Sequence, residues 1–309
     1  MKVLITGGAG YIGTSLTPLL LNKGYHVKAI DNLSFGGEAL IPFFSYPNYS
    51  FQKGDIRDVS SMKQALDGVD CIIHLAGIVG YPACRKYPKE SREINLDANR
   101  LLLELASKEQ LILYASTGST YGELIGELCT ETTPLNPLTD YGKQKMEAEE
   151  MIMNRGNAVS FRFATAYGVS PRLRLDLLIN DFTFKAVKDK TLIVYEKHFM
   201  RTFIHVRDMA RSFLFTLEHF DTMNDEVYNV GDNAQNFSKE KICFMIREKI
   251  EYYLHFAEIG KDLDQRNYMV SYKKISDLGF QCNTSVSEGI DELLKVAEVV
   301  EIKSPFSNV

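Results

Sequence analysis

Nothing in the 309-residue sequence pairs its cysteines, concentrates basic charge or stays apolar for the width of a bilayer. The five cysteines, Cys71, Cys84, Cys129, Cys243 and Cys282, are odd in number, scattered and without a CxxC pair. That argues against a disulfide framework and against a zinc site, and it points to a reducing cytoplasm. His74 and His205 have no third ligand near them in sequence, so no metal is expected. With a formal net charge of -5, the chain offers no basic field to a phosphate backbone. Nucleic acid is therefore not an expected partner, and any anionic ligand has to be met by individually placed cations. No stretch approaches the roughly 20 apolar residues of a membrane span. Met1 to Thr6 runs straight into a glycine-rich turn instead of through the basic and apolar regions of a leader peptide, so neither export nor membrane insertion is expected.

What is present is a chain 45% hydrophobic, long enough for a sizeable core. Short β-branched runs at Lys2–Ile5, His26–Ile30, Asp70–Leu75 and Leu111–Ala115 alternate with amphipathic stretches. This alternation predicts an α/β fold, a doubly wound parallel sheet with helices on both faces. The spacing of Ile94, Ala98, Leu101, Leu102 and Leu105 predicts one long helix over Pro88–Lys108, and a second is expected over Thr139–Arg155, ending at Gly156. After Val159–Phe163 the pattern loosens. The expected division is a larger domain over 1–165, to which later segments return, and a smaller lobe over 166–309, the two sharing a cleft.

Thr6-Gly7-Gly8-Ala9-Gly10-Tyr11-Ile12-Gly13 follows the first strand and opens a helix, the context a glycine pattern needs before it carries meaning. Gly7 suits a sharp turn, Gly10 lets backbone approach a pyrophosphate, and Gly13 lets the helix pack close. Asp31 ends the second strand, about twenty residues on, where a carboxylate accepts ribose hydroxyls and repels a 2′-phosphate. NAD is thereby favoured over NADP, although an aspartate there can also simply start a turn. Asp55-Ile56 is a candidate adenine contact or a solvated turn.

Tyr141 and Lys145 lie four residues apart in the first turns of the second predicted helix and so share a face. A cation beside a phenol favours the phenolate, as a base for a sugar hydroxyl requires; the competing reading is a surface tyrosine beside a solvated lysine. The hydroxyl-rich turn Ser116-Thr117-Gly118-Ser119-Thr120-Tyr121-Gly122 follows a sheet strand, where doubly wound folds place ligands.

Together, TGGAGYIG at Thr6–Gly13, the aspartate within IDNLS, HLAG at His74–Gly77, STGSTYG and YGKQK resemble the extended short-chain dehydrogenase/reductases, Rossmann-type enzymes that act on nucleotide sugars. The resemblance implies that Tyr141 is the acid/base, that Lys145 tunes it and holds the nicotinamide ribose, and that Thr117 hydrogen-bonds the reacting hydroxyl, with Ser116 and Ser119 as rivals. It adds cofactor contacts at Tyr11, Ile12, Asn32, Leu75, Ala76, Gly77 and Asn95, the last explained equally well as a helix-surface amide. Arg162–Gly168 resembles the segment that opens the substrate lobe, including Thr165, and Arg201–Asp208 resembles a segment whose first arginine reaches the substrate pyrophosphate. Arg266 resembles a second such arginine, and Asn180 an asparagine near the sugar phosphates. Either arginine can instead be a surface ion pair, and Asn180 a helix cap. The family's partners would be a nucleotide-diphosphate sugar and a second copy of the chain, paired through the two long helices.

Three outcomes compete once a keto-sugar has formed. Dehydratases of the family carry an acid just after the position of Thr117, where Gly118 and Ser119 stand here, so dehydration is disfavoured. C4 epimerisation is expected. Net oxidation is the alternative, because Ile78–Pro82 and Ser170–Phe182 resemble a bacterial subgroup that includes a GDP-manno-heptose 4-dehydrogenase. An idle NAD-binding sensor is the third reading.

Overall fold

The computed structural model describes residues 1–122, 128–258 and 269–301. Its first part alternates strand and helix: β1 (Lys2–Thr6), α1 (Tyr11–Asn22), β2 (His26–Asp31), β3 (Tyr49–Lys53), α2 (Val59–Leu66) and β4 (Cys71–His74). Three short helices follow, α3 (Tyr81–Lys86), α4 (Pro88–Arg92) and α5 (Ala98–Leu105), then β5 (Leu111–Thr117), β6 (Leu128–Cys129), α6 (Asp140–Arg155), β7 (Ala158–Phe163) and β8 (Thr165–Tyr167). Beyond them come α7 (Leu178–Lys188), β9 (Thr191–Tyr195), β10 (Met200–His205), α8 (Val206–Glu218), α9 (Phe220–Met223), β11 (Glu226–Val230), β12 (Asn236–Ser238) and α10 (Lys239–Arg247). The last elements are β13 (Tyr253–Ala257), β14 (Met269–Val270), α11 (Lys273–Asp277) and α12 (Val286–Val299).

Seven parallel strands form the central sheet in the order β11-β7-β5-β4-β1-β2-β3. Helices cover both of its faces, so its middle strands are apolar almost throughout. Alternate side chains go to opposite layers. Val3, Ile5, Ile73 and Leu113 join a core with Leu16 and Leu20 of α1 and Phe213 of α8, whereas Leu4, Ile72, Ile112 and Tyr114 pack with Leu102, Ala148 and Ile152 of α5 and α6. The chain winds outward from β1 in one direction and from β4 in the other, which opens a crevice at their carboxyl ends. The last strand to join, β11, arrives from beyond residue 165 and pairs with β7 from Glu226↔Val159 to Val230↔Phe163. A separate core holds Tyr167, Ile179, Phe184, Phe203, Ile242 and Ile290, beside a small sheet ordered β12-β10-β8.

The single helix expected over Pro88–Lys108 runs continuously from Pro88 to Leu105, with αR residues at both junctions of a π-helical insert. Between α4 and α5 the turn Glu93–Asp97 is π-helical. The wider turn carries Asn95 and Leu96 inward, a common use of π-bulges near sites. The helix also stops early: Ala106 is extended, donates its N–H to Leu102 O at 2.8 Å, and leads into a turn in which Gln110 Oε1 accepts from Ser107 N at 2.9 Å. The second helix matches its signals, with Thr139 Oγ1 capping Gly142 N at 3.1 Å and Gly156 ending it at φ +76°.

Candidate active site

The crevice is a cavity of about 700 Å³ at the carboxyl ends of β1, β4 and β5, walled by both cores of the molecule. At one end the glycine turn is fixed by sterics. Gly7 has φ +70°, and a Cβ there would stand 2.8 Å from Ala76 N; a Cβ at Gly13 would stand 2.7 Å from Gly7 O. No side chain caps α1 at Gly10, so its first-turn N–H groups remain for a ligand's oxygens. This is a cradle that side chains would fill, and it fits a dinucleotide. Asp31 lies beside it with Oδ2 accepting from Ala9 N at 3.0 Å and Oδ1 from Leu33 N at 2.8 Å. Burial raises its pKa, and those two backbone bonds pull it back, leaving lone pairs on a carboxylate that lines the cavity. Tyr11, Ile12, Asn32, Asp55, Ile56, Leu75, Ala76 and Gly77 line the same end, with Asp55 engaged by Arg57 at 2.8 Å.

Tyr141 and Lys145 reach the cavity from α6, each 8% exposed. The Lys145 ammonium stands 4.1 Å over the ring of Tyr114, a seat that favours the cation. Burial acts in the opposite direction and lowers its pKa to about 7, with Glu149 one turn later opposing the shift. The helix is anchored by that same Glu149. Arg162 on β7 donates to it from Nε at 3.0 Å and Nη2 at 2.6 Å, Ser160 donates to it at 3.0 Å, and Arg162 Nη1 reaches Tyr121 OH at 3.1 Å.

Of the three hydroxyls proposed from sequence, Thr117 and Ser116 line the cavity and Ser119 does not. Thr117 Oγ1 lies 2.6 Å from Ser119 Oγ and accepts from Ser119 N at 3.2 Å, while Ser116 Oγ is buried with no hydrogen-bond partner among the described residues. Asn95 lines the cavity, yet its amide is committed elsewhere: it accepts from Ile78 N at 2.9 Å, donates to Ile78 O at 2.9 Å and bonds Gln144 Oε1 at 3.0 Å. It thus clamps the 77–80 wall to α6. His74 is held by Thr6 Oγ1 at 2.7 Å, and its pKa falls to about 3 through burial. His205 caps α8 through Arg207 N at 3.2 Å and faces Glu292 at 3.3 Å.

At the other end, Thr165 and Arg201 line the wall from β8 and β10. Asn180 does not reach it. It is fully buried, accepting from Gly168 N at 2.9 Å and donating to Arg174 O at 2.8 Å, so it braces the loop that borders the cavity. Arg266 lies outside the described residues. Sequence reasoning missed Arg172, Arg174, Asp176 and Lys239, all of which line the cavity. Arg174 pairs with Asp176 at 2.5 Å. Lys239 carried one overlooked signal: it is the first residue of a helix capped by Ser238, where a cation opposes the helix dipole and needs another reason to be there. Among the described residues no group of three metal-ligating side chains occurs and no helix is long and apolar enough to cross a membrane.

Residues 3–231 match the model of the NAD dependent epimerase/dehydratase family. The putative UDP-glucose 4-epimerase of Methanocaldococcus jannaschii is 27% identical over 305 residues, covering 94% of this chain and 97% of that protein. The crystal structure of UDP-glucuronic acid 4-epimerase from Bacillus cereus, in complex with UDP-glucuronic acid and NAD, superposes with a TM-score of 0.86 at 24% identity, over 96% of this chain and 99% of that one. That of dTDP-glucose 4,6-dehydratase from Bacillus anthracis, in complex with NAD, gives 0.83 at 23% identity, over 96% of each chain, so the fold by itself does not separate epimerase from dehydratase. The glycine cradle, Asp31 and the Tyr141/Lys145 helix open on one cavity, and the chain belongs to the NAD dependent epimerase/dehydratase family.

Proposed function

We propose that this enzyme inverts C4 of a nucleotide-diphosphate sugar through a transient 4-keto sugar. The observation that carries the reading is convergence: the glycine cradle, the Tyr141/Lys145 pair and the Thr117/Ser116 hydroxyls open on one cavity whose far wall holds Arg201 and Lys239. NAD, when bound, supplies an acceptor for the C4 hydride and returns it. Tyr141 takes the C4 hydroxyl proton and later gives it back; Lys145 stabilises the phenolate and holds the nicotinamide ribose. Thr117, with Ser116 beside it, orients the reacting hydroxyl. Asp31 accepts the adenosine ribose hydroxyls, and Asp55 and Ile56 border the adenine.

Arg201 and Lys239, both buried and both near the Phe199 ring at 5.9 and 5.3 Å, meet the diphosphate of the substrate, with Thr165 toward the sugar. They supply locally the positive charge that a chain of net charge -5 lacks overall. Gly118 and Ser119 leave no acid beside Thr117 to expel a hydroxyl, which supports epimerisation over dehydration. The active form is a homodimer paired through α5 and α6.

The test is incubation with a panel of UDP- and GDP-sugars, with products resolved by NMR and NAD reduction followed optically, with and without an oxo-acid acceptor. Inverted C4 without an external redox partner is expected, together with a loss of about 10²–10⁴-fold in Tyr141→Phe, the usual contribution of a general acid/base. A released keto-sugar formed only as acceptor is consumed would make the enzyme a dehydrogenase. Turnover unchanged in Tyr141→Phe would remove the assigned base.

A further inference from the structure

One contact across the cavity has no part in the chemistry above. The loop after β8 is tied to the first turns of α1: Tyr11 OH donates to Gly168 O at 2.7 Å and Ser170 Oγ to Tyr11 O at 2.7 Å. Ser170 Oγ also meets Thr14 Oγ1 at 3.0 Å, and Arg172 N donates to Thr14 Oγ1 at 3.4 Å. The loop thereby delivers Arg172, 5% exposed, to the cavity wall, with its guanidinium carbon 4.3 Å over the ring of Phe35. Phe35 lies just beyond Asp31 on the opposite lip, and both side chains line the cavity. The pair therefore bridges the groove between the start of α1 and the strand end that carries Asp31. Burial, then repulsion from Arg174, lowers the pKa of Arg172 to about 10, which still leaves it cationic at neutral pH. A guanidinium carries its N–H donors in a planar fork that matches phosphate and ribose oxygens, and an aromatic face beneath it fixes its place.

We propose that Arg172 is a coenzyme-binding residue contributed from beyond the nucleotide-binding strands, stacked on Phe35 as a clasp over the adenosine-diphosphate half of NAD, and that this clasp slows coenzyme exchange. The inference rests on the reading that NAD occupies the glycine cradle. It gives that reading a kinetic consequence, since an enzyme that returns a hydride to the same sugar has to keep its coenzyme between the two transfers. One that releases its keto-sugar has to exchange it.

The test measures NADH release from the loaded protein by mixing it with excess NAD and following nucleotide fluorescence, alongside the NAD(H) retained through gel filtration. Arg172→Gln and Phe35→Ala are each expected to speed release at least tenfold, with Arg172→Lys between them and wild type. Because the two side chains act as one unit, the double variant is expected to release no faster than the quicker single one. Phe35 is 40% exposed, so its variant remains readable even if Arg172→Gln fails to fold, and melting of the NAD-free proteins checks the fold. Release within twofold of wild type in Phe35→Ala, or additive effects in the double variant, would overturn the clasp. A wild-type protein that takes up no NAD would overturn the clasp together with the reading beneath it, whereas one that holds NAD but releases it as fast as Arg172→Gln overturns the clasp alone.

Discussion

The two ends of the cavity are built in opposite ways. The end proposed for the coenzyme is built around one continuous run, β1, the glycine turn, α1 and β2 closed by Asp31, with Asp55, Ile56 and the 75–77 segment set against it. Its geometry follows from backbone sterics: a Cβ at Gly13 would sit within 3.0 Å of Gly7 O in the same turn, and one at Gly7 within 3.0 Å of the Ala76 backbone after β4. The far end is assembled from Thr165 on β8, Arg174 in the loop beyond it, Arg201 on β10 and Lys239 at the head of α10. No local rule links these four; only the tertiary packing of the second core brings them to one wall. A site dictated by backbone sterics is hard to vary and easy to read, whereas a wall assembled from distant side chains is free to diverge while the first end stays fixed. That difference suits a family in which one coenzyme serves many sugars.

The largest expected effect comes from cutting the tie between α6, which brings Tyr141 and Lys145 to the cavity, and the sheet. Arg162 on β7 and Glu149 on α6 form a buried pair at 2.6 Å, with side chains 7% and 5% exposed. Burial works against the charge on Arg162, but Glu149 more than offsets it and the net pKa is raised. Arg162→Met leaves Glu149 buried without its cation and is expected to cost about 3–5 kcal/mol of stability, read as a lower urea midpoint. The double variant Arg162→Met/Glu149→Leu should recover most of the loss, since well-packed apolar replacements of buried ion pairs are often neutral. A single variant as stable as wild type would show that α6 is held in place by its apolar face alone.

Next in size is a lesion confined to the coenzyme end. In Gly13→Ala the new carbon meets Gly7 O at 2.7 Å and Gly8 O at 2.8 Å, backbone atoms that can move only if α1 does. Overpacking of this kind costs about 1–3 kcal/mol, up to about 100-fold in NAD affinity if it falls on binding. Titration calorimetry should show NAD affinity lost while the affinity for UDP or GDP, judged at the far end, stays within about threefold. Equal losses for both ligands would mean that the ends are not separable.

The same contrast decides what could be read from sequence. The sheet, the cradle, Asp31 and the Tyr141/Lys145 helix were legible because each rests on a short-range requirement: a period of two or 3.6, a positive φ, an i,i+4 spacing. The π-helical turn at Glu93–Asp97 was not, since Ile94, Ala98, Leu101 and Leu105 keep a helical spacing in sequence, and the bonds between Asn95 and Ile78 that accompany the wider turn are made across the fold. Asn180 was placed by resemblance near the sugar phosphates, yet in the fold it is fully buried and braces Gly168 and Arg174. Burial of a polar side chain behind a wall, as opposed to on it, leaves no mark in sequence. Resemblance put Thr117 first, with Ser116 and Ser119 as rivals, but that Thr117 is bonded to Ser119 while Ser116 Oγ is buried with no hydrogen-bond partner among the described residues is set by the fold.

Lys239 offers the smallest effect and the finest test of the second end. A lysine as the first residue of a helix faces the positive end of the helix dipole, at a cost of about 0.3–1 kcal/mol. Here its ammonium donates to Tyr195 O at 3.1 Å and lies 5.3 Å from the Phe199 ring, while β10 and β12, paired at Met200↔Ser238, keep it next to Arg201. If its task is to meet the substrate diphosphate, Lys239→Gln should weaken UDP or GDP binding about tenfold, roughly 1.4 kcal/mol. The effect should fall on KM more than on kcat, as loss of an interaction made equally in ground and transition states does. Uridine and guanosine, which carry no phosphate, separate the two possible causes. Their affinity should hardly change if the lost interaction is with phosphate, and Lys239→Arg should restore most of the diphosphate affinity. If nucleoside and nucleotide weaken together and arginine restores neither, Lys239 shapes the wall through its bond to Tyr195, and Arg201 is left to carry the diphosphate without it.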